Sequence, residues 1–154
     1  MKSTYWQKAA ISRLVGDHRG VFRPAESVSE EYRLDLRDSP CRADFCYLIK
    51  PKGRLFVEDD DGARSVNNLI KYWRWCRANP EERPVFLIHV VENSRPAQLD
   101  HCRFLSERIH EDCGMEYRLI EIPLWSPSET EWLSRFKDDL DRIASRMVAV
   151  QEVT

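Results

Sequence analysis

The sequence predicts an α/β domain built on a mixed sheet with helices on both faces. Three observations carry that expectation. Residues 43–60 hold two apolar runs about Pro51-Lys52-Gly53, the pattern of an antiparallel hairpin. Residues 84–91, PVFLIHVV, are apolar throughout except for His89, as in a strand buried on both faces. After residue 64, segments of helical period alternate with strands, so the later connections are crossovers between parallel strands.

The 154 residues are the length of one domain, and an apolar fraction of 42% supplies its core. A formal net charge of −2 means that attraction to nucleic acid is not built into the whole chain, which leaves that role to local patches. No apolar run approaches the roughly 18 residues of a membrane span. The first 20 residues lack the apolar region of a signal peptide. A cytoplasmic protein without membrane association is the expectation. Five cysteines, an odd count with no CxxC, argue against a zinc site or a disulfide framework. Cys46, Cys76 and Cys102 fall at apolar periodic positions and read as core thiols.

Taken in order, residues 4–15 read as a helix with Trp6, Ala10 and Leu14 inward. Tyr32, Leu34 and Leu36 alternate with charged residues, as in a half-buried strand. Residues 43–50 and 54–60 form the hairpin. Residues 65–78 form a helix on the stripe Val66, Leu69, Ile70, Trp73, capped by Asp61 or Ser65 and stopped at Asn79-Pro80. Ser94 opens the next helix with Pro96 in its first turn. Leu99, Cys102, Leu105 and Ile109 form its stripe and Gly114 its stop. Residues 116–122 alternate as a strand. Ser126-Pro127-Ser128-Glu129 is a capping box for a last helix burying Leu133, Phe136, Leu140, Ile143 and Met147. No glycine-rich loop joins a strand to a helix, which argues against dinucleotide binding.

The chemistry concentrates in the hairpin. With a three-residue turn, paired positions sum to 104, setting Cys46 opposite Glu58 and Asp44 opposite Asp60. Asp44, Cys46, Glu58 and Asp60 then share one face, with Asp59 on the other. Three converging carboxylates repel one another and call for a cation, a proton or open water. Magnesium or manganese, which prefers oxygen ligands, can polarise a phosphate and lower the pKa of a bound water. The plain alternatives are a solvated strand end running into an acidic turn, a calcium site of structural kind, and pairing of Asp44 with Arg42 or Arg54.

RAD at 42–44, LFVEDD at 55–60 and NNLIKYWRW at 67–75 together resemble the PD-(D/E)xK nuclease superfamily. The resemblance implies a restriction endonuclease-like α-β-β-β-α-β core over residues 4–91, with the α-β-α segment 94–150 as an addition inside a single domain 1–154. It implies metal-dependent hydrolysis of DNA, a Mg or Mn cofactor, and a homodimer for cutting two strands. Asp44 and Glu58 take the places of the two acidic ligands. Asp60 stands where the family carries its lysine and would complete the metal shell or orient water. Lys71, on the following helix, is the candidate for a displaced lysine. Ala43 replaces the usual proline. One of Glu26, Glu30 and Glu31 corresponds to an early glutamate found in some members.

Other residues have two readings. His89 is either a proton shuttle or a hydrogen-bonded structural histidine. Trp73 belongs to the inner stripe, which turns Tyr72 and Trp75 elsewhere, toward the first helix, a second subunit or DNA. Arg74 and Arg77 are candidates for phosphate contacts. The rival function is a non-catalytic protein-interaction module using the Tyr72/Trp75 face or the final helix.

Overall fold

The computed structural model describes residues 4–25, 32–36, 39–92, 95–122 and 129–153. The elements run α1 (Thr4–Gly16), β1 (Phe22–Pro24), β2 (Tyr32–Leu36), β3 (Ser39–Ala43), β4 (Phe45–Ile49), β5 (Arg54–Asp61), α2 (Ser65–Ala78), β6 (Val85–Glu92), α3 (Pro96–Cys113), β7 (Glu116–Ile122) and α4 (Glu129–Val153). A five-stranded sheet has the order β1-β4-β5-β6-β7, and β2 pairs with β3 in a separate two-stranded sheet. The β1–β4 and β4–β5 pairs are antiparallel, while β5–β6 and β6–β7 are parallel. The expected mixed α/β sheet is therefore present, with β5 at its centre.

Each face of the sheet has its own core. On one, Ile11 and Val15 of α1 and Phe136, Leu140 and Met147 of α4 pack on β-strand residues such as Leu55, Val57 and Ile88. On the other, Leu69, Tyr72 and Cys76 of α2 and Cys102 and Ile109 of α3 pack on Phe56 and Leu87. Leu34 and Ala43 of the β2–β3 sheet join this second core. The central strands β5 and β6 are buried on both faces because helices cover both.

The structure corrects several expectations. The inner line of α1 is Gln7, Ile11 and Val15, with Trp6 and Leu14 only partly buried. The inner line of α2 is Ser65, Leu69, Tyr72 and Cys76, with Trp75 buried beside it and Ile70 exposed. Tyr72 and Trp75 are 1% and 4% exposed and both pack against Phe56, Tyr72 tilted to its ring and Trp75 edge-on. Neither is free for a partner or DNA. The reason is that α2 is covered on more than one side: α3 and β2 lie against it as well as β5. A helix so enclosed buries a wider arc than one four-residue stripe.

The hairpin register also differs. The pairs are Leu48 with Arg54, Cys46 with Phe56 and Phe45 with Val57, so positions sum to 102. The turn is longer than three residues and is closed by Gly53. Its φ of +131° suits glycine, and an added Cβ would lie 2.7 Å from the Pro84 carbonyl oxygen. At its end, the Arg54 N–H donates to that oxygen at 3.0 Å.

The run 43–50 is two strands, with a bend at Asp44. Ala43 and Cys46 both enter the α2-side core although three residues apart, which regular alternation forbids. The bend absorbs the odd residue. Further on, α2 and β7 have the expected bounds, and Gly114 ends α3 at φ +75° with its N–H on the His110 carbonyl. Ser65 does not cap α2; it is the first helical residue, and its Oγ donates to the Gly62 carbonyl at 3.0 Å. Ser94, the Ser126–Ser128 part of the capping box, and Glu26, Glu30 and Glu31 lie outside the described residues.

Candidate functional site

The carboxyl end of β5 is where the candidate residues meet. The β4–β5 ladder stops at Phe45–Val57 because the chain turns away at Asp44, so β5 continues through Glu58 to Asp61 with β6 as its ladder neighbour. The edge amide of Asp59 donates instead to Asp44 Oδ2 at 2.9 Å. The Asp44 amide in turn donates to Glu58 Oε2 at 3.3 Å. Asp44 thus sits at the strand edge, between the two faces, rather than on the face of Glu58. Its Oδ1 lies 3.9 Å from the Lys8 ammonium of α1.

Glu58 points at α2. Lys71 Nζ donates to Glu58 Oε1 at 3.1 Å, to the Arg42 carbonyl at 2.6 Å and to Asn68 Oδ1 at 3.3 Å. The Tyr72 hydroxyl donates to Glu58 Oε2. Burial and the Glu58 charge push the Tyr72 hydroxyl pKa well up, so it stays a donor. The side chains of Glu58 and Lys71 are 7% and 10% exposed, so this ion pair is a buried one.

Asp60 shares the face of Glu58 but turns to other partners. Its Oδ2 is bonded to His89 Nε2 and accepts from Asn68 Nδ2 at 2.9 Å. His89 Nδ1 lies 2.8 Å from the Tyr117 hydroxyl. Burial pushes the Tyr117 pKa up. With Tyr117 donating to Nδ1, the ring hydrogen sits on Nε2 and points at Asp60. His89, fully enclosed, therefore fills both of its hydrogen-bonding positions. Asp60 Oδ1 is buried without a hydrogen-bond partner.

Desolvation is the first cause of raised pKa values here. It lifts Asp44, against the pull of the Asp59 amide, Lys8 and Lys71. It lifts Glu58, with repulsion from Asp44 added and Lys71 opposing. Asp59, on the α1 face, is pushed up to about 7 by burial and then by Glu92 and Asp44. Among the described residues, no group of three His, Cys, Asp or Glu side chains is placed to hold a metal ion. Asp44 and Glu58 are neighbours, whereas Asp60 is engaged by His89 and Asn68.

The four expected site residues are thus at one strand end, in two subgroups: Asp44, Glu58 and Lys71 form one, and Asp60, which His89 joins, forms the other. Arg74 is exposed, and Arg77 lies 3.5 Å from Asp112. Lys8, Asn68 and Tyr117 were not singled out by the sequence, and Tyr72 was read as a contact toward the first helix, a second subunit or DNA rather than as a partner of Glu58. For Asn68 the signal was its place three residues before Lys71 on one helix, and for Tyr72 its place four residues after Asn68. For Lys8 and Tyr117 the sequence offers none, since tertiary packing alone brings them in. No helix of the described residues is long and apolar enough to cross a membrane. None of the protein-family models, curated proteins or solved structures compared with the chain matches it.

Proposed function

We propose that this protein is a metal-dependent nuclease acting on DNA phosphodiester bonds, with Asp44 and Glu58 as the carboxylates that hold the ion. One observation carries the reading. Four carboxylates, Asp44, Glu58, Asp59 and Asp60, are gathered at the end of β5 with two ammonium groups, Lys8 and Lys71. Two formal negative charges are left in a desolvated place, which one divalent cation offsets. The donors are all oxygen, which fits Mg or Mn rather than a softer metal. When bound, such an ion polarises a phosphate oxygen and acidifies a water.

The remaining roles belong to the chain itself. Lys71 brings from the helix the positive charge that Asp60 lacks at the family's lysine position. Its three hydrogens go to Glu58, Asn68 and the Arg42 carbonyl, so its part is to place a positive charge beside Glu58 rather than to donate to the phosphate. Tyr72 and the Asp44 amide hold Glu58 Oε2 in place. Asp60 has a buried, unpartnered Oδ1 to accept a hydrogen from water, with Oδ2 fixed by His89 and Asn68. The order α1, β4–β5 hairpin, α2, parallel β6 supports a restriction endonuclease-like core, with β2–β3 and the α3-β7-α4 segment added to it. A homodimer would present two such sites to the two strands of a duplex.

The test is nicking of supercoiled plasmid with Mg or Mn, comparing the wild type with Glu58→Ala. Nicking by the wild type that disappears in the variant is the expected result. No difference between the two rejects the assignment of Glu58. The interaction-module reading keeps one support, the exposed Val148 and Val150 near the end of α4; its Tyr72/Trp75 surface is buried.

A further inference from the structure

The opposite face of β5 carries a second polar cluster, of which the nuclease reading counts only the charge of Asp59 and assigns it no role. Asp59 points away from Glu58 and Asp60, toward α1. Glu92 lies on the same face of β6, opposite Asp61 in the parallel ladder. Gln7 of α1 closes the cluster from above, its Nε2 donating to Glu92 Oε1. That bond fixes the amide orientation, since the reverse would set oxygen against oxygen.

Two acceptors in this cluster have nothing to accept. Gln7 is 2% exposed, and its Oε1 is buried without a partner. Asp59 is 9% exposed, and its Oδ2 is likewise buried and unpartnered. Each such group keeps its full desolvation cost as long as nothing donates to it. Lys8, one residue along α1, offsets part of the Asp59 charge but also lies beside Asp44. Glu92 is only half-buried, so the cluster opens to solvent on that side.

We propose that Asp59, Glu92 and Gln7 form a binding site for a hard divalent cation, separate from the Asp44–Glu58 pair. Asp59 Oδ2, Gln7 Oε1 and the Glu92 carboxylate supply two anionic oxygens and one neutral one, a set suited to an ion of the magnesium or manganese type that keeps several waters. The ion ties α1 to the ends of β5 and β6. Because the Asp59 amide holds Asp44 Oδ2, filling this site also steadies Asp44. The inference does not depend on the nuclease reading.

Direct Mn2+ binding to the full chain, followed by loss of the free-ion paramagnetic resonance signal, tests it. The wild type is expected to hold a Mn2+ ion whose affinity falls at least about tenfold in Asp59→Asn and in Gln7→Leu, a change of 1.4 kcal/mol or more. That ion is unaffected by Glu58→Gln. Gln7→Glu keeps the side-chain volume and adds a carboxylate, so it tightens binding; circular dichroism shows whether each variant is folded. Mn2+ binding that ignores Asp59→Asn and Gln7→Leu, or a Gln7→Glu variant that is folded and binds no better, overturns the proposal. Binding lost only in Glu58→Gln removes this site and leaves the nuclease site standing. Plasmid nicking that is absent while the Asp59-dependent ion is retained does the reverse.

Discussion

Glu58 and Asp59 are adjacent acids on one strand, both buried, and they live in opposite circumstances. Glu58 faces α2, where a lysine, a tyrosine hydroxyl and a backbone amide meet its two oxygens. Asp59 faces α1, where its Oδ2 meets no donor and Glu92 and Asp44 repel it. The strand alternation that separates them is a property of the backbone. What differs is the helix laid over each face: α2 brings an ammonium and a hydroxyl to Glu58, while α1 brings Gln7 and Lys8 over Asp59, whose acidic neighbours Glu92 and Asp44 come from the sheet and its edge. Two neighbouring residues of one charge thus become an ordered ion pair and a group in want of a cation or a proton.

The largest test of this contrast is Lys71→Met. It leaves the Glu58 charge buried without its ammonium, and removal of one partner of a buried pair costs about 3–5 kcal/mol. The urea midpoint at pH 8 should fall accordingly, and Glu58→Gln in the same chain should restore much of it. A midpoint that barely moves would mean that Tyr72 and the Asp44 amide hold Glu58 without help.

Next comes the pH dependence of Asp59. Its folded pKa of about 7 stands above the ordinary 3.8, so between those values the folded chain binds the extra proton. Unfolding free energy therefore falls as pH rises from about 4 to about 7, by at most about 1.4 kcal/mol per pH unit from this one group. The raised pKa values of Asp44 and Glu58 add slope of the same sign. Urea titrations across this range, without divalent ions, should show a shallower fall for Asp59→Asn. Equal slopes would mean that Asp59 is hydrated in solution.

Tyr72→Phe takes one donor from the well-supplied face. A hydrogen bond to a buried charge is worth about 1.5–3 kcal/mol, so thermal unfolding should register a loss of that order with the ring packing on Phe56 kept. The smallest effect is expected of Lys8→Met. Lys8 is partly exposed and 3.9 Å from Asp44, and its loss should cost less than about 1 kcal/mol. Lys71 and Lys8 then differ severalfold in stability although both neighbour the same acids; similar losses would erase the distinction between the faces.

Much of this arrangement was legible in the sequence because it follows from period. The bounds of α2, the partition of Glu58 and Asp59 to opposite faces, and the parallel placement of β6 and β7 all rest on helical or strand repeats. The residue opposite each acid was not legible, because it depends on the turn at Gly53 and its approach to Pro84. The error in register was two residues, which keeps the paired residues on their faces; Asp44 lies past the ladder at the bend and meets Glu58 through its amide instead. The bend at Asp44 was hidden because Ala43 and Phe45 on either side look like one apolar run. The rotation of α2 onto Tyr72 and Trp75 was hidden for another reason. It requires knowing that β2 and α3 flank the helix, and no local spacing in YWRW says so.

The sulfur atoms divide along the same plane. Cys46, Cys76, Cys102 and Cys113 are thiols outside any disulfide, in the layer beneath α2 and α3, and the core under α1 and α4 contains no cysteine among the described residues. At these four described cysteines a thiol-directed reagent therefore probes one side of the sheet. Its rate of reaction at these four positions times the breathing of the layer that holds Glu58, while motion of the α1–α4 layer passes unseen. Mass mapping of which sulfur is modified first would rank the four places by how often each comes ajar, with no label introduced.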